Sequence, residues 1–454
     1  MNDCLLHSLA NPNKFPATRI VLLDMHGEYA KAFGDTARVF RINPDAEAHE
    51  LSLSVPYWVL TSEEILGLTT GAISGGALAY VLDAITRMRR DSKPAGKDYG
   101  MSEDDVTADT PLPFSIHKLW YDLHTLQYAT HIEQAGKSQS TETWALEKGD
   151  DGEPLTGDAL SVKRPKFRQH KDEKTDPEKI RKSTQENLMR SQTDALEGRL
   201  RDPRFDFLFR PGPWSVGVDG TTEKDLNALL TDWVGKEKPI TVLDLSGVPP
   251  SVVDDLVGAV LRILYDAMFW GRATTVGARA RPLMIVLEEA HTYLAAQAKS
   301  RAAAAAKRIA KEGRKYGVGL MLVSQRPSEI DPTILAQCGT LVAMRLTNET
   351  DRSQIRSCAS DNLEGLFAML PILRTGEALI VGEAVGLPVR ALIEPPPLGR
   401  RPDSDDPRVV VALDSTGEPE RPGGWADATV DDDYAPLVQS WRTQSINKSK
   451  SSKS

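Results

Sequence analysis

The apolar run Leu283-Met284-Ile285-Val286-Leu287 ends in Glu288-Glu289, and that junction constrains the fold more than any other stretch of the chain. A continuous apolar run of this length suits a parallel strand buried on both faces, and ligands in open α/β sheets gather at the carboxyl ends of such strands. Two carboxylates placed there can divide the work of nucleotide hydrolysis. One holds magnesium, directly or through water, and the other polarises the water that attacks the γ-phosphate. Taken alone, the pair is equally consistent with a solvated turn after a strand.

The neighbouring sequence supplies the rest of an α/β alternation. Arg19 to Asp24 reads as a short buried strand that stops at the polar turn His26-Gly27-Glu28, and residues 63–90 read as a helix pair ending in Arg87, Arg89 and Arg90. Further on come a strand from Pro239 to Leu245, an apolar helix from Val252 to Phe269, the Leu283 strand, an Ala-rich helix over about 293–315, and strands over 318–323 and 340–345. Residues 377–381 and 389–393 suggest a hairpin at one edge. Strands alternating with helices predict an α/β fold with a mainly parallel sheet covered on both faces.

Between 91 and 210 the composition turns charged and polar, with Lys163-Arg164-Pro165-Lys166-Phe167-Arg168 followed by mixed Lys, Glu and Asp. This reads as a partly helical insertion that divides the core into residues 1–90 and 211–395. The stretch 396–454, acidic and then Ser/Lys-rich, reads as a mobile tail.

A length of 454 residues allows at least one large core, and a net charge of −9 argues against wholesale electrostatic binding to nucleic acid while leaving room for a local basic channel. The three cysteines, Cys4, Cys338 and Cys358, are too few and too scattered for a disulfide framework or a zinc site. No segment approaches the roughly 18 apolar residues that span a bilayer, and no signal-type apolar region opens the chain. A cytoplasmic protein without membrane contact is expected.

Beyond the glutamates, the candidate chemistry lies at or just past other element ends. Gln325, after the 318–323 strand, can hold the attacking water or sense the γ-phosphate; its plainer role is to cap the turn before Pro327. Arg314 closes the Ala-rich helix, where a cation complements the helix dipole and a guanidinium can also reach a neighbour's phosphate. Lys307, Arg308, Lys311 and Arg314 share helical spacing and can track a nucleic-acid backbone, though a solvated face explains Lys307 more simply. Gly136-Lys137-Ser138 matches the end of a phosphate-binding loop, but His131 stands where that pattern needs glycine and no apolar strand leads into it. His291 has no second histidine at helical spacing to make a metal site.

Taken in order, Leu23-Asp24-Met25-His26-Gly27-Glu28-Tyr29, Leu287-Glu288-Glu289-Ala290-His291, Gly313-Arg314-Lys315-Tyr316-Gly317, Ser324-Gln325-Arg326-Pro327-Ser328-Glu329-Ile330 and Leu370-Pro371-Ile372-Leu373-Arg374-Thr375-Gly376-Glu377-Ala378 resemble the HerA-type ATPases of the FtsK/HerA superfamily. The resemblance covers most of residues 5–90 and 210–395. It implies a RecA-like P-loop NTPase core, usually assembled as a homohexameric ring, that uses ATP and Mg2+ to move along double-stranded DNA with a nuclease or another effector, in end resection or phage defence. It places Glu288 and Glu289 at the Walker B positions, with Glu288 toward the metal, and Gln325 at the sensor position. Arg314 becomes the candidate trans-acting finger. Asp24 and Glu28, with Lys315, are placed near the nucleotide pocket or the subunit boundary.

The departure from the pattern lies at the front. Family members carry a glycine-rich loop ending in Gly-Lys-Ser or Gly-Lys-Thr and then a helix, and Leu5-Leu6-His7-Ser8-Leu9-Ala10 resembles the remainder of that helix. The expectation is a chain that starts just after the Walker A loop and binds ATP weakly, because backbone N–H groups and the lysine of that loop supply most of the phosphate grip. Three functions are weighed: a translocase subunit lacking its front, a non-hydrolysing ring scaffold that binds DNA or a partner, and, well below both, a metal-dependent nuclease using Glu288 and Glu289.

Overall fold

The computed structural model describes residues 17–443 except 47, 72, 135, 171–177, 184–188, 236–237, 278–279, 296–299, 359–363, 398–399 and 403–433. Cys4, the segment Leu5 to Ala10 and most of the tail therefore lie outside the described residues. The core is an α/β sheet with strands β1 (Arg19–Asp24), β2 (Ala37–Arg41), β3 (Leu51–Ser52), β6 (Ile240–Asp244), β7 (Leu283–Leu287) and β8 (Val318–Leu322) in the order β3-β2-β6-β1-β7-β8. All of these pairings are parallel. Between them in sequence, β4 (Thr130–Ile132) and β5 (Ile180–Lys182) pair antiparallel as a separate ribbon.

The apolar runs behave as the physics of a two-faced sheet demands. Every residue of β1 is buried, because neighbouring strands close both edges and packed layers close both faces. Val21, Leu23, Leu243, Ile285 and Leu287 point into the larger core beneath helices Val253–Trp270 and Arg301–Glu312. The alternate residues Ile20, Leu22, Val242 and Val286 pack on the opposite face against Tyr29, Ala32 and Phe33. The two helices meet closely at Gly258, where an added Cβ would lie 2.8 Å from the Arg301 carbonyl carbon and 2.9 Å from the Ala302 nitrogen.

Residues from the charged stretch contribute to the same large core. Phe114, Leu119 and Trp120, with Leu196, Leu200 and Phe205, are buried in it. Tyr57 anchors this segment by donating from its hydroxyl to the Phe114 carbonyl at 2.5 Å and accepting from the Ile116 amide at 3.1 Å.

Two elements differ from the sequence expectations. The Ala-rich helix begins at Arg301 rather than near 293, because Ser300 caps it through the Ala303 amide and is itself fixed to Asp254 at 2.6 Å. The strand that follows β8 in sequence, β9 (Thr340–Ala343), lies in a separate three-stranded antiparallel sheet with β10 (Glu377–Gly382) and β11 (Val389–Leu392), so β8 ends the parallel sheet. The hairpin of β10 and β11 is present. Adjacency of strands is a tertiary property, and nothing in the local pattern of 340–345 distinguishes one sheet from the other.

Candidate functional site

Parallel register carries the polar ends of three strands to one level. Leu23 pairs with both Leu243 and Leu287, and Asp24 with Asp244, so Asp24, Asp244 and Glu288 form a row at the carboxyl edge of the sheet. Leu287 pairs with Leu322, and the ladder runs on through the Val323 amide, which donates to the Leu287 carbonyl at 2.9 Å. Gln325 is thereby delivered beside the two glutamates.

Glu289 sits in a left-handed backbone conformation, φ +46°, and is only 9% exposed. For a residue with a Cβ this costs about 1–2 kcal/mol and persists only where surrounding structure enforces it. That structure is visible. The Gln325 amide donates from Nε2 to Glu289 Oε1 at 2.8 Å, and the Ala290 amide donates to the Val323 carbonyl at 2.9 Å. His291 Nδ1 lies 3.1 Å from Glu289 Oε2 and 3.2 Å from Ser324 Oγ. Capping of the following turn falls to Ser324, whose Oγ accepts from the Arg326 amide at 3.0 Å, leaving Gln325 free for the carboxylate.

Glu288 is held differently. Its Oε1 accepts from the Tyr29 hydroxyl at 3.2 Å, and its carbonyl accepts from the Tyr293 hydroxyl at 2.8 Å. Burial, chiefly, raises its carboxyl to about 7, against the opposing hydrogen bond from Tyr29 and with the repulsion of Glu289, Asp24 and Glu28 adding to the rise. Among the described residues, neither Glu288 Oε2 nor Glu289 Oε2, both buried, accepts a hydrogen bond. Two orphaned carboxylate oxygens on adjacent residues leave acceptor capacity for a cation or a water. Among the described residues no group of three or more His, Cys, Asp or Glu converges on a metal position, so the protein offers an ion only part of its coordination.

Asp24 is fully buried, and its carboxylate is occupied in building a turn. It accepts from the amides of His26 at 3.3 Å, Gly27 at 3.0 Å and Tyr29 at 2.9 Å. Burial, chiefly, raises its pKa, with repulsion from Asp244 adding to the rise and the amides of Tyr29, Gly27 and Glu28 opposing it. Gly27 has φ +74°, and a Cβ there would stand 2.9 Å from Asp244 Oδ2. Asp244 in turn accepts from Arg41 Nε at 2.6 Å, and Arg41 bridges to Glu50 at 3.1 Å. Glu28 adds negative charge at this corner, contributing to the rise of both Tyr29 and Glu288.

Arg314 and Lys315 are exposed and form no ion pair among the described residues. They occupy the turn Gly313–Tyr316 that leads into the amino end of β8, whereas the glutamates lie beyond the carboxyl end of β7. The structure therefore does not bring them to Glu288 and Glu289 within one chain. Both glycines around them have structural reasons: an added Cβ at Gly313 would meet the Val318 carbonyl oxygen at 2.6 Å, and Gly317 caps the turn at φ +69°. Lys307 pairs with Asp331 at 2.8 Å instead of lying free on a solvated face. Sequence reasoning quoted Tyr29 and Ser324 within motifs but gave them no role of their own, missed Tyr293, and set His291 aside; the signal for Tyr29 and His291 was their place beside the acids.

The family described as Helicase HerA, central domain, matches residues 3–264, more than half of the chain. A probable helicase of Methanocaldococcus jannaschii is 38% identical over 162 residues, 35% of this chain and 31% of that protein. The DNA double-strand break repair helicase HerA of Saccharolobus solfataricus is 36% identical over 160 residues, 35% of this chain and 32% of the relative. The match thus spans about a third of the length of each of these relatives. Among solved structures, VirB4 of Thermoanaerobacter pseudethanolicus aligns with a TM-score of 0.45 at 14% identity, covering 88% of this chain and 87% of that one.

Proposed function

The chain belongs to the family of the HerA helicase central domain, and from that premise we propose that it is the motor subunit of an ATP-driven translocase of double-stranded DNA, with a RecA-like core and a homohexameric ring. The observation that supports this most is the acid pair at the carboxyl end of β7, with two orphaned oxygens and Gln325 on the adjacent strand. The relatives named as DNA double-strand break repair helicases support DNA as the track, and a nuclease or another effector as partner is part of the same proposal.

Glu289 is the base that orients and deprotonates the attacking water. Gln325 fixes that carboxylate through Oε1 and leaves Oε2 toward the water. Glu288 would hold Mg2+ through the oxygen that Tyr29 leaves free, and the ion would supply positive charge against the phosphates. Because Arg314 lies at the far end of β8, its role is in trans, on the nucleotide of a neighbouring subunit, and Lys315 faces the same boundary. Asp24 and Glu28 serve the nucleotide pocket from its floor, Asp24 through the turn it builds.

Glu289→Gln abolishes ATP turnover and spares nucleotide binding in this reading; unchanged turnover would overturn the assignment of Glu289 as base. Arg314→Ala silences hydrolysis and is rescued in rings mixed with Glu289→Gln subunits. Failure of complementation would place the guanidinium in cis or in a structural role.

A second reading has its own observation. No stretch of the 454 residues has the form Gly-x-x-x-x-Gly-Lys-Ser/Thr, so this polypeptide by itself grips phosphate poorly. On that reading it is a ring scaffold that binds DNA or a partner without hydrolysis. Nucleotide titration of the purified chain discriminates between the two: submicromolar ATP affinity would remove the scaffold reading and show that another backbone nest replaces the loop.

A further inference from the structure

We propose that Tyr29 is a positioning residue for Glu288, and that the turn from Asp24 to Tyr29 is the bracket through which the sheet aims the metal-holding oxygen. The inference rests on the reading of Glu288 as the carboxylate that holds the ion. Nothing in the motif spacing requires it, since Tyr29 and Glu288 are 259 residues apart.

Glu288 has one side-chain donor, the Tyr29 hydroxyl on Oε1, and one free oxygen, Oε2. A carboxylate held at one oxygen cannot rotate about its last torsion without losing that bond, so Tyr29 fixes where Oε2 points. Tyr29 is itself immobile. It is 7% exposed, its ring stacks on Phe33 at 6.1 Å between centroids and 20° between planes, and its amide is tied to Asp24 Oδ2 at 2.9 Å. Asp24 is fully buried at the end of β1, the strand next to β7, so the bracket starts and finishes on neighbouring strands of one rigid sheet. Tyr293 fixes the other side of the residue by donating to the Glu288 carbonyl at 2.8 Å. Backbone and side chain of Glu288 are thus held by two phenols, one 259 residues before it and one five residues after it.

Outer hydrogen bonds of this kind set metal affinity, and their loss typically weakens binding about 10–100-fold. The test uses Mn2+ alone as the probe, titrated into the full chain at pH 8 and followed by the EPR signal of the free ion. Glu288→Gln removes the site. Tyr29→Phe, which deletes only the hydroxyl, weakens Mn2+ at least about tenfold while the melting transition stays cooperative. Phe33→Leu, which loosens the ring packing that steadies Tyr29 but keeps its hydroxyl, lowers the melting temperature and weakens Mn2+ clearly less than Tyr29→Phe does. If Glu288→Gln loses the ion and Tyr29→Phe binds it as tightly as wild type, the positioning role is overturned and the metal reading stands. If Glu288→Gln matches wild type, both fall. If Phe33→Leu weakens Mn2+ as much as Tyr29→Phe does, packing accounts for the effect and the proposal is overturned.

Discussion

Glu288 and Glu289 are adjacent acids in unlike surroundings, and the difference is measurable at each. Burial lifts the Glu288 carboxyl from an ordinary 4.5 to about 7. A proton held in the folded state and already lost from the unfolded one makes stability fall as pH rises between those values. Glu288→Gln carries no such charge. It should therefore melt above wild type at pH 8 in EDTA, with the gap closing below about pH 5, where both side chains are neutral. A gap that persists at pH 4 would show that packing rather than charge separates the two proteins. At Glu289 the relevant quantity is φ. The left-handed conformation inverts the usual order of small residues, so Glu289→Gly should be about 1 kcal/mol more stable than Glu289→Ala in urea unfolding, both lacking the carboxylate. Equal stabilities would mean that the turn relaxes once Gln325 loses its partner.

At the scale of elements, the turn after β1 and the crossing of two helices are the most exacting parts. Asp24→Ala leaves the amides of His26, Gly27 and Tyr29 without their acceptor, at about 1–3 kcal/mol for each donor that water cannot reach, partly offset by removing a charge repelled by Asp244. A net loss of about 2 kcal/mol in urea unfolding is expected; a loss within error would show that the turn holds itself. Gly258→Val forces helix Val253–Trp270 away from Arg301 and Ala302, and overpacking of this kind costs about 1–3 kcal/mol. The central strands were legible because burial on both faces demands unbroken apolar runs, as in β1, β6 and β7. β2 was not, because Arg38 and Arg41 interrupt its pattern while serving Thr241 and Asp244 on the neighbouring strand. Within the site, the acids and Gln325 could be read from their positions after strands. Tyr29 on Glu288 and Ser300 on Asp254 could not, since each joins distant segments through a single hydroxyl.

Across the whole molecule, the acid pair lies at one end of the sheet and Arg314 and Lys315, without an ion pair among the described residues, near the other, with β8 forming the edge between them. On the proposed function, the two groups of residues lie on separate surfaces of one chain, so a neighbouring subunit would have to bring them together. The edge carries a second expectation. The parity of a parallel ladder turns the backbone groups of Leu320 and Leu322 away from β7, and an open apolar edge invites pairing with another chain. Leu320→Lys should reduce concentration-dependent association in sedimentation velocity, whereas no change would show that the edge is covered in solution. The strained turn at Glu289 has a consequence on a longer timescale. A lineage that no longer needed the acid could relax the turn by exchanging it for glycine or asparagine, so drift under selection for stability alone runs away from glutamate. Glutamate in that conformation costs stability that glycine would not, so the proposed function predicts that relatives which hydrolyse ATP keep an acid here and that relatives which do not carry glycine or asparagine more often.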